Sequence, residues 1–202
     1  ELRVPGGIAL IDVGSAEDNS LITFRQHRIA TVIQGDRRIA VLGLPLSLSA
    51  GSVEISIAND GEARTLSFTI NDKSYPVQKL TVEPKFVNPA PEVQERINRE
   101  VAETNAIYSS FSDTTPPWQM QKPAAGTWSS SFGLRREFNG EARNPHSGAD
   151  IAATKGSTVK ASATGRVVLA KDLYFNGNTV ILDHGQGLLT MYCHLDRIDV
   201  NV

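Results

Sequence analysis

Two runs in the first half of the chain leave little choice of architecture. Val53, Ile55 and Ile57 alternate with polar neighbours, and so do Leu66, Phe68 and Ile70. Successive side chains of a strand point to opposite faces, so each run offers one face to a core and one to water. Asn59-Asp60-Gly61 between the runs supplies residues that tolerate positive φ and predicts a hairpin, and Asn71-Asp72-Lys73 is a further turn candidate. Short strands punctuated by turn residues continue from Leu2 to about Val82, so residues 1–83 are expected to form a small Ig-like β-sandwich. The histidine of this part, His27, stands in Phe24-Arg25-Gln26-His27-Arg28 with no carboxylate or thiol nearby, and is read as a surface or strand histidine.

Pro84, Pro89 and Pro91 resist both helix and central strand, which marks a linker. A proline is tolerated in the first turn of a helix, and Val93, Ile97, Val101, Thr104, Tyr108 and Phe111 then recur at spacings of three and four. Residues 84–120 are therefore expected to be a linker carrying an amphipathic helix of about five turns, stopped between Ser112 and Pro117. Acidic residues crowd its polar face, which suits packing on a domain better than anchoring at an anionic membrane.

From Trp118 the composition shifts towards glycine, and three of the four histidines lie beyond residue 145. Residues 126–136 read as strand then turn, Thr158–Ala161 and Gly165–Ala170 as two strands, and 178–183 with 188–194 as a hairpin closed through Gly185-Gln186-Gly187. Within this third part, residues 121–202, the segment Asn144 to Ala153 holds an imidazole and a carboxylate at i and i+4. Pro145 and Gly148 in it favour strand over helix, and on a strand His146 and Asp150 share a face and can converge on one metal ion. In the hairpin, alternation puts Leu188, Thr190, Tyr192 and His194 on one face and Leu189, Met191, Cys193 and Leu195 on the other. If the hairpin neighbours the His146 segment, three polar groups meet on one sheet face. Imidazole and carboxylate suit zinc, and a catalytic zinc site keeps an open position for water.

Several classes of function are excluded by composition. A net charge of −2 and a pI near 6.1 carry no basic footprint for nucleic acid. No run approaches the roughly 18 apolar residues of a membrane span, and Glu1-Leu2-Arg3-Val4-Pro5 is no signal core. The protein is thus expected to be cytosolic or to have lost a signal. The single cysteine, Cys193, rules out an internal disulfide or a four-thiolate zinc site; facing away from His194, it is expected to be a buried, inert thiol.

Phe132-Gly133-Leu134-Arg135, His146-Ser147-Gly148-Ala149-Asp150-Ile151-Ala152, then Gly156, Val159, Ala161 and Gly165, then Gly177 to Gly185 and Thr190-Met191-Tyr192-Cys193-His194-Leu195 follow one another in order. Over about residues 126–202 this resembles the lysostaphin/LytM-type zinc metallopeptidases, and Val4-Pro5-Gly6-Gly7-Ile8-Ala9 with the strands after it is similar to the β-rich N-terminal domain of some bacterial members. The resemblance implies a mainly β protein whose antiparallel β catalytic domain binds zinc and cleaves peptide cross-links of bacterial peptidoglycan. It implies His146 and Asp150 as zinc ligands and His194 as a catalytic histidine assisting the attacking water or the tetrahedral intermediate. It further implies an envelope location, periplasmic or secreted after signal removal, with stem peptides or cross-bridges of peptidoglycan as partners.

In that family a third ligand and a further catalytic histidine lie in a His-x-His segment downstream of the Tyr-x-His-Leu strand. Residues 195–202 contain no histidine. The catalytic domain is therefore expected to be incomplete at the C-terminus, and residues 1–202 alone to bind zinc weakly and hydrolyse little. The rival reading is a catalytically incompetent cell-wall binding or amidase-activating module; the intact His146, Asp150 and His194 favour the enzyme. Intramolecular inhibition by the N-terminal domain is a further expectation. His184, beside Asp183 and Gly185, is read as a turn histidine bonded to backbone, and Arg135 and Arg136 as either groove-lining or solvated.

Overall fold

The computed structural model describes residues 2–59, 61–81 and 89–202. They form two compact units, Glu1–Tyr75 and Pro76–Val202, whose regular structure is mainly strand, with one helix among the described residues.

The first unit holds β1 (Ile8–Ser15), β2 (Leu21–Phe24), β3 (His27–Arg28), β4 (Ala30–Gln34), β5 (Arg37–Gly43), β6 (Gly51–Asn59) and β7 (Glu62–Ile70). These pair antiparallel into two sheets, ordered β1-β5-β4 and β3-β2-β6-β7. The alternation dictates the packing: Ile55 and Ile57 of β6 and Phe68 and Ile70 of β7 turn inward to meet Ile22 of β2 and Ala9, Ile11 and Ala40 from the other sheet in one cluster. Two sheets sharing one core make a sandwich. The expected hairpin joins β6 to β7, with Asn59 opposite Glu62 and Gly61 at φ 89°; Asp60 lies outside the described residues. His27 is exposed on β3, as its isolation in the sequence implies.

The second unit begins with β8 (Val77–Leu80), which runs parallel to β10 (Arg135–Phe138). Contacts thus divide the chain between Tyr75 and Pro76, ahead of the proline-rich stretch that suggests a boundary near residue 83, because a strand before those prolines pairs with one far beyond them. Pro84 itself lies outside the described residues. Helix α1 (Pro91–Tyr108) starts with proline in its first turn, as the sequence predicts. The remaining strands are β9 (Thr127–Ser130), β11 (Glu141–Arg143), β12 (Asp150–Ala152), β13 (Arg166–Leu173), β14 (Gly177–Asp183) and β15 (Leu189–Leu195). They form the sheets β11-β10-β8, β12-β9 and β13-β14-β15.

The hairpin of β14 and β15 closes where expected: Gly185, Gln186 and Gly187 all have positive φ, and Leu188 N–H donates to the Gly185 carbonyl at 2.9 Å. Leu169, Leu173 and Ile181 form its core, with Ile107 of α1 packed against them. The helix therefore packs on this unit. The strand expected at Thr158–Ala161 is instead an extended segment outside any sheet, held by Lys160 N–H to the Pro123 carbonyl at 2.8 Å and Gln121 N–H to the Ser162 carbonyl at 2.8 Å.

Candidate functional site

His146 lies in the loop between β11 and β12, while Asp150 opens β12. This corrects the expectation of a shared strand, and the reason is dimensional. Four residues of extended strand span roughly 13 Å at about 3.3 Å each, so two side chains on one strand face at that spacing stay too far apart for a common ion. The bend at Gly148 removes that separation and brings His146 Nε2 to 3.3 Å from Asp150 Oδ1. The loop is fixed at its base by His146 N–H donating to the Leu134 carbonyl and Gly133 N–H donating to the His146 carbonyl, both at 2.8 Å.

The other ring nitrogen is anchored. His146 Nδ1 is 3.1 Å from the Ser131 carbonyl, which can only accept, so Nδ1 donates there while Nε2 faces the Asp150 carboxylate. Ser130 Oγ, on β9 directly opposite Asp150, lies 3.2 Å from the same Nδ1. The imidazole is largely shielded and the carboxylate half exposed. An imidazole nitrogen beside a carboxylate is the donor set zinc takes, with the Ser131 carbonyl as the outer partner that orients the ring. Among the described residues no group of three His, Cys, Asp or Glu side chains is arranged to hold a metal. The serines were not singled out by sequence: in the run Ser129-Ser130-Ser131 nothing local says which hydroxyl or carbonyl meets the histidine.

His194 stands in a different ladder from Asp150, since β15 pairs with β14 and β12 with β9. The structure brings His146 and Asp150 together and holds His194 on its own sheet. Between the pairs Val180–Tyr192 and Asn178–Leu195, β15 carries one residue more than β14, so simple alternation stops before His194. His194 has φ 56°, is exposed, and donates its N–H to the Asn176 carbonyl at 2.8 Å.

His184 is 2% exposed and engaged at both nitrogens, Nδ1 at 2.7 Å from the Thr164 carbonyl and Nε2 at 2.7 Å from Thr190 Oγ1. Thr190 Oγ1 is in turn 3.0 Å from the Tyr192 hydroxyl, which accepts the Ser162 N–H at 2.8 Å. This imidazole is part of the scaffold beneath β15. Cys193 is half-buried rather than buried, with the Asn176 side-chain amide 3.3 Å from its Sγ. Arg136 lies directly opposite Arg143 across β10 and β11, Nε of each is buried without a hydrogen-bond partner, and Arg143 Nη2 is paired with Glu141 Oε2 at 2.6 Å.

Residues 144–202 match peptidase family M23, and residues 2–73 match the M23 N-terminal domain. Over 79 residues, 38% of this chain, the sequence is 37% identical to the peptidoglycan DD-endopeptidase ShyA of Vibrio cholerae serotype O1. The matched segment spans only 18% of that protein's length. The crystal structure of a candidate M23 peptidase from Pseudomonas aeruginosa superposes with a TM-score of 0.83 at 35% identity, covering 100% of this chain and 78% of that one.

Proposed function

The chain belongs to peptidase family M23, and from that premise we propose that it is a zinc-dependent endopeptidase that hydrolyses peptide cross-links of bacterial peptidoglycan in the cell envelope, periplasmic or secreted. The observation that carries this reading is the His146–Asp150 pair, with Nδ1 committed to the Ser131 carbonyl and Nε2 facing the carboxylate, inside the segment that matches the peptidase family. His146 Nε2 and Asp150 would hold the metal. A zinc ion held there would supply Lewis acidity towards the scissile carbonyl and would lower the pKa of a water to about 7. The protein's own part is positional: Ser131 fixes the imidazole, the loop base at Gly133 and Leu134 fixes the backbone, and exposed His194 is suited to accept and return the proton moved during amide cleavage. Peptidoglycan as substrate class is favoured by the name of the Vibrio relative. The first unit, whose residues 2–73 match the family's own N-terminal domain, is assigned in this proposal the role of restraining turnover. A higher rate without residues 1–75 supports that role, and equal rates remove it.

Zinc titration followed at the His146 and Asp150 resonances tests the ligand assignment. Two protein ligands hold zinc weakly, so the polypeptide of residues 1–202 is expected to show a weak site centred on these residues. His146→Ala is expected to abolish that response, and to lower peptidoglycan cleavage by the natural polypeptide at least a hundredfold. Zinc uptake unchanged in His146→Ala would remove the assignment.

A further inference from the structure

Among the described residues, Glu100 is the one buried carboxylate, 8% exposed on the face of α1 that packs on the β13-β14-β15 sheet. A buried carboxylate is retained only with partners. One oxygen accepts from Arg96 Nε at 2.6 Å, and the other accepts the backbone N–H of Tyr174 at 2.8 Å. Arg96 is itself tied to the adjoining strand through Asp172 Oδ2 at 2.7 Å and lies over the Tyr174 ring at 5.9 Å. The carboxylate therefore grips the tight connection of residues 174–176 between β13 and β14 at its first residue.

The last residue of that connection holds His194. The Asn176 carbonyl accepts the His194 N–H at 2.8 Å, and its side-chain amide donates to Cys193 Sγ at 3.3 Å, so one residue supports both sides of the irregular step in β15. Gly177 closes against the histidine: a Cβ there would lie 3.7 Å from both His194 Cα and Nδ1. His194 has the left-handed φ that non-glycine residues rarely adopt and that persists only when its surroundings over-determine it.

We propose that Glu100 is a positioning residue for His194, its buried carboxylate fixing the 174–176 connection whose Asn176 carbonyl holds the histidine backbone in its left-handed conformation. This rests on the reading of His194 as the residue that moves the proton, and it makes helix α1 part of the catalytic apparatus without contact with substrate. An isosteric amide at position 100 keeps an acceptor for Tyr174 N–H but loses the charge that binds Arg96. Glu100→Gln should therefore be milder than Glu100→Ala.

The test is amide hydrogen exchange of the 202-residue chain, with His194 reporting opening of its local contact and Ile181 in the core reporting global unfolding. Glu100→Ala is expected to raise the His194 rate about tenfold and Glu100→Gln by less. Ile97→Ala, which removes packing from the same helix, should leave the His194 rate within twofold while raising that of Ile181. An unchanged His194 rate in both Glu100 variants, or an equal rise in Ile97→Ala, overturns the proposal; Glu100→Gln decides it should Glu100→Ala not fold. In the natural polypeptide, Glu100→Ala should lower kcat about tenfold with KM within twofold. If the wild type cleaves no peptidoglycan, the endopeptidase reading falls while the His194 exchange rate still decides whether Glu100 holds His194.

Discussion

At Gly165 the fold leaves no room for a single methyl group: a Cβ would lie 2.6 Å from His184 Nδ1 and 2.9 Å from the Asp183 carbonyl oxygen. Neither neighbour can retreat cheaply. His184 is buried with both nitrogens bonded, and moving it would break its bonds to the Thr164 carbonyl on one side and Thr190 Oγ1 on the other. Gly165→Ala is therefore expected to cost about 1–3 kcal/mol, the range for forcing extra volume into a packed interior. Urea unfolding of the variant against wild type measures it, and an undiminished midpoint would mean that the 164–165 backbone shifts freely. In the sequence Gly165 only opens the strand expected at Gly165–Ala170. Its stronger requirement comes from an imidazole that approaches from far along the chain, which no local pattern states.

The helix carries the same lesson at the scale of an element. Its existence and proline start are legible, and so are Val93 and Ile97 on its packed face. The expected next residue, Val101, is 47% exposed, while Glu100 is buried in its place. Periodicity counts apolar residues and has no means of recognising a carboxylate whose partners, Tyr174 N–H among them, belong to a distant connection. Burial alone would push the Glu100 carboxyl up. The Tyr174 N–H, the Arg96 guanidinium and Lys171 together pull it below its ordinary value. A depressed carboxylate stabilises the fold above its unfolded pKa of about 4.3, and that contribution is lost as pH falls through the lower folded value. Thermal unfolding of wild type and Glu100→Gln should accordingly differ most at neutral pH and converge below about pH 4. A gap that stays constant through this window would show that the charge of Glu100 contributes nothing to stability.

Over the whole molecule, what the sequence discloses is what adjacent residues encode. The β6–β7 hairpin shows in its period of two, and the β14–β15 hairpin in Gly185-Gln186-Gly187 between apolar runs. Within the site, Pro145 and Gly148 disclose an interruption, but the carbonyl of Ser131 that anchors His146 Nδ1 is contributed across the fold. The parallel pairing of β8 with β10 is hidden for the same reason, since Val77 meets Arg135 and neither segment carries a signal naming the other. That pairing fixes where the chain can be divided. The core of the first unit draws only on residues between Ala9 and Ile70, so residues 1–75 are complete in their own packing. The second unit needs β8: Arg135 N–H donates to the Pro76 carbonyl at 2.9 Å and Asn139 N–H to the Leu80 carbonyl at 3.0 Å, and a chain starting at residue 84 leaves this edge of β10 unpaired. Each net backbone hydrogen bond is worth about 1 kcal/mol, so with these two a fragment of residues 76–202 is expected to unfold roughly 5–10 °C above one of residues 84–202. Calorimetry of the two fragments distinguishes the boundaries, and coincident midpoints would place β8 outside the cooperative unit.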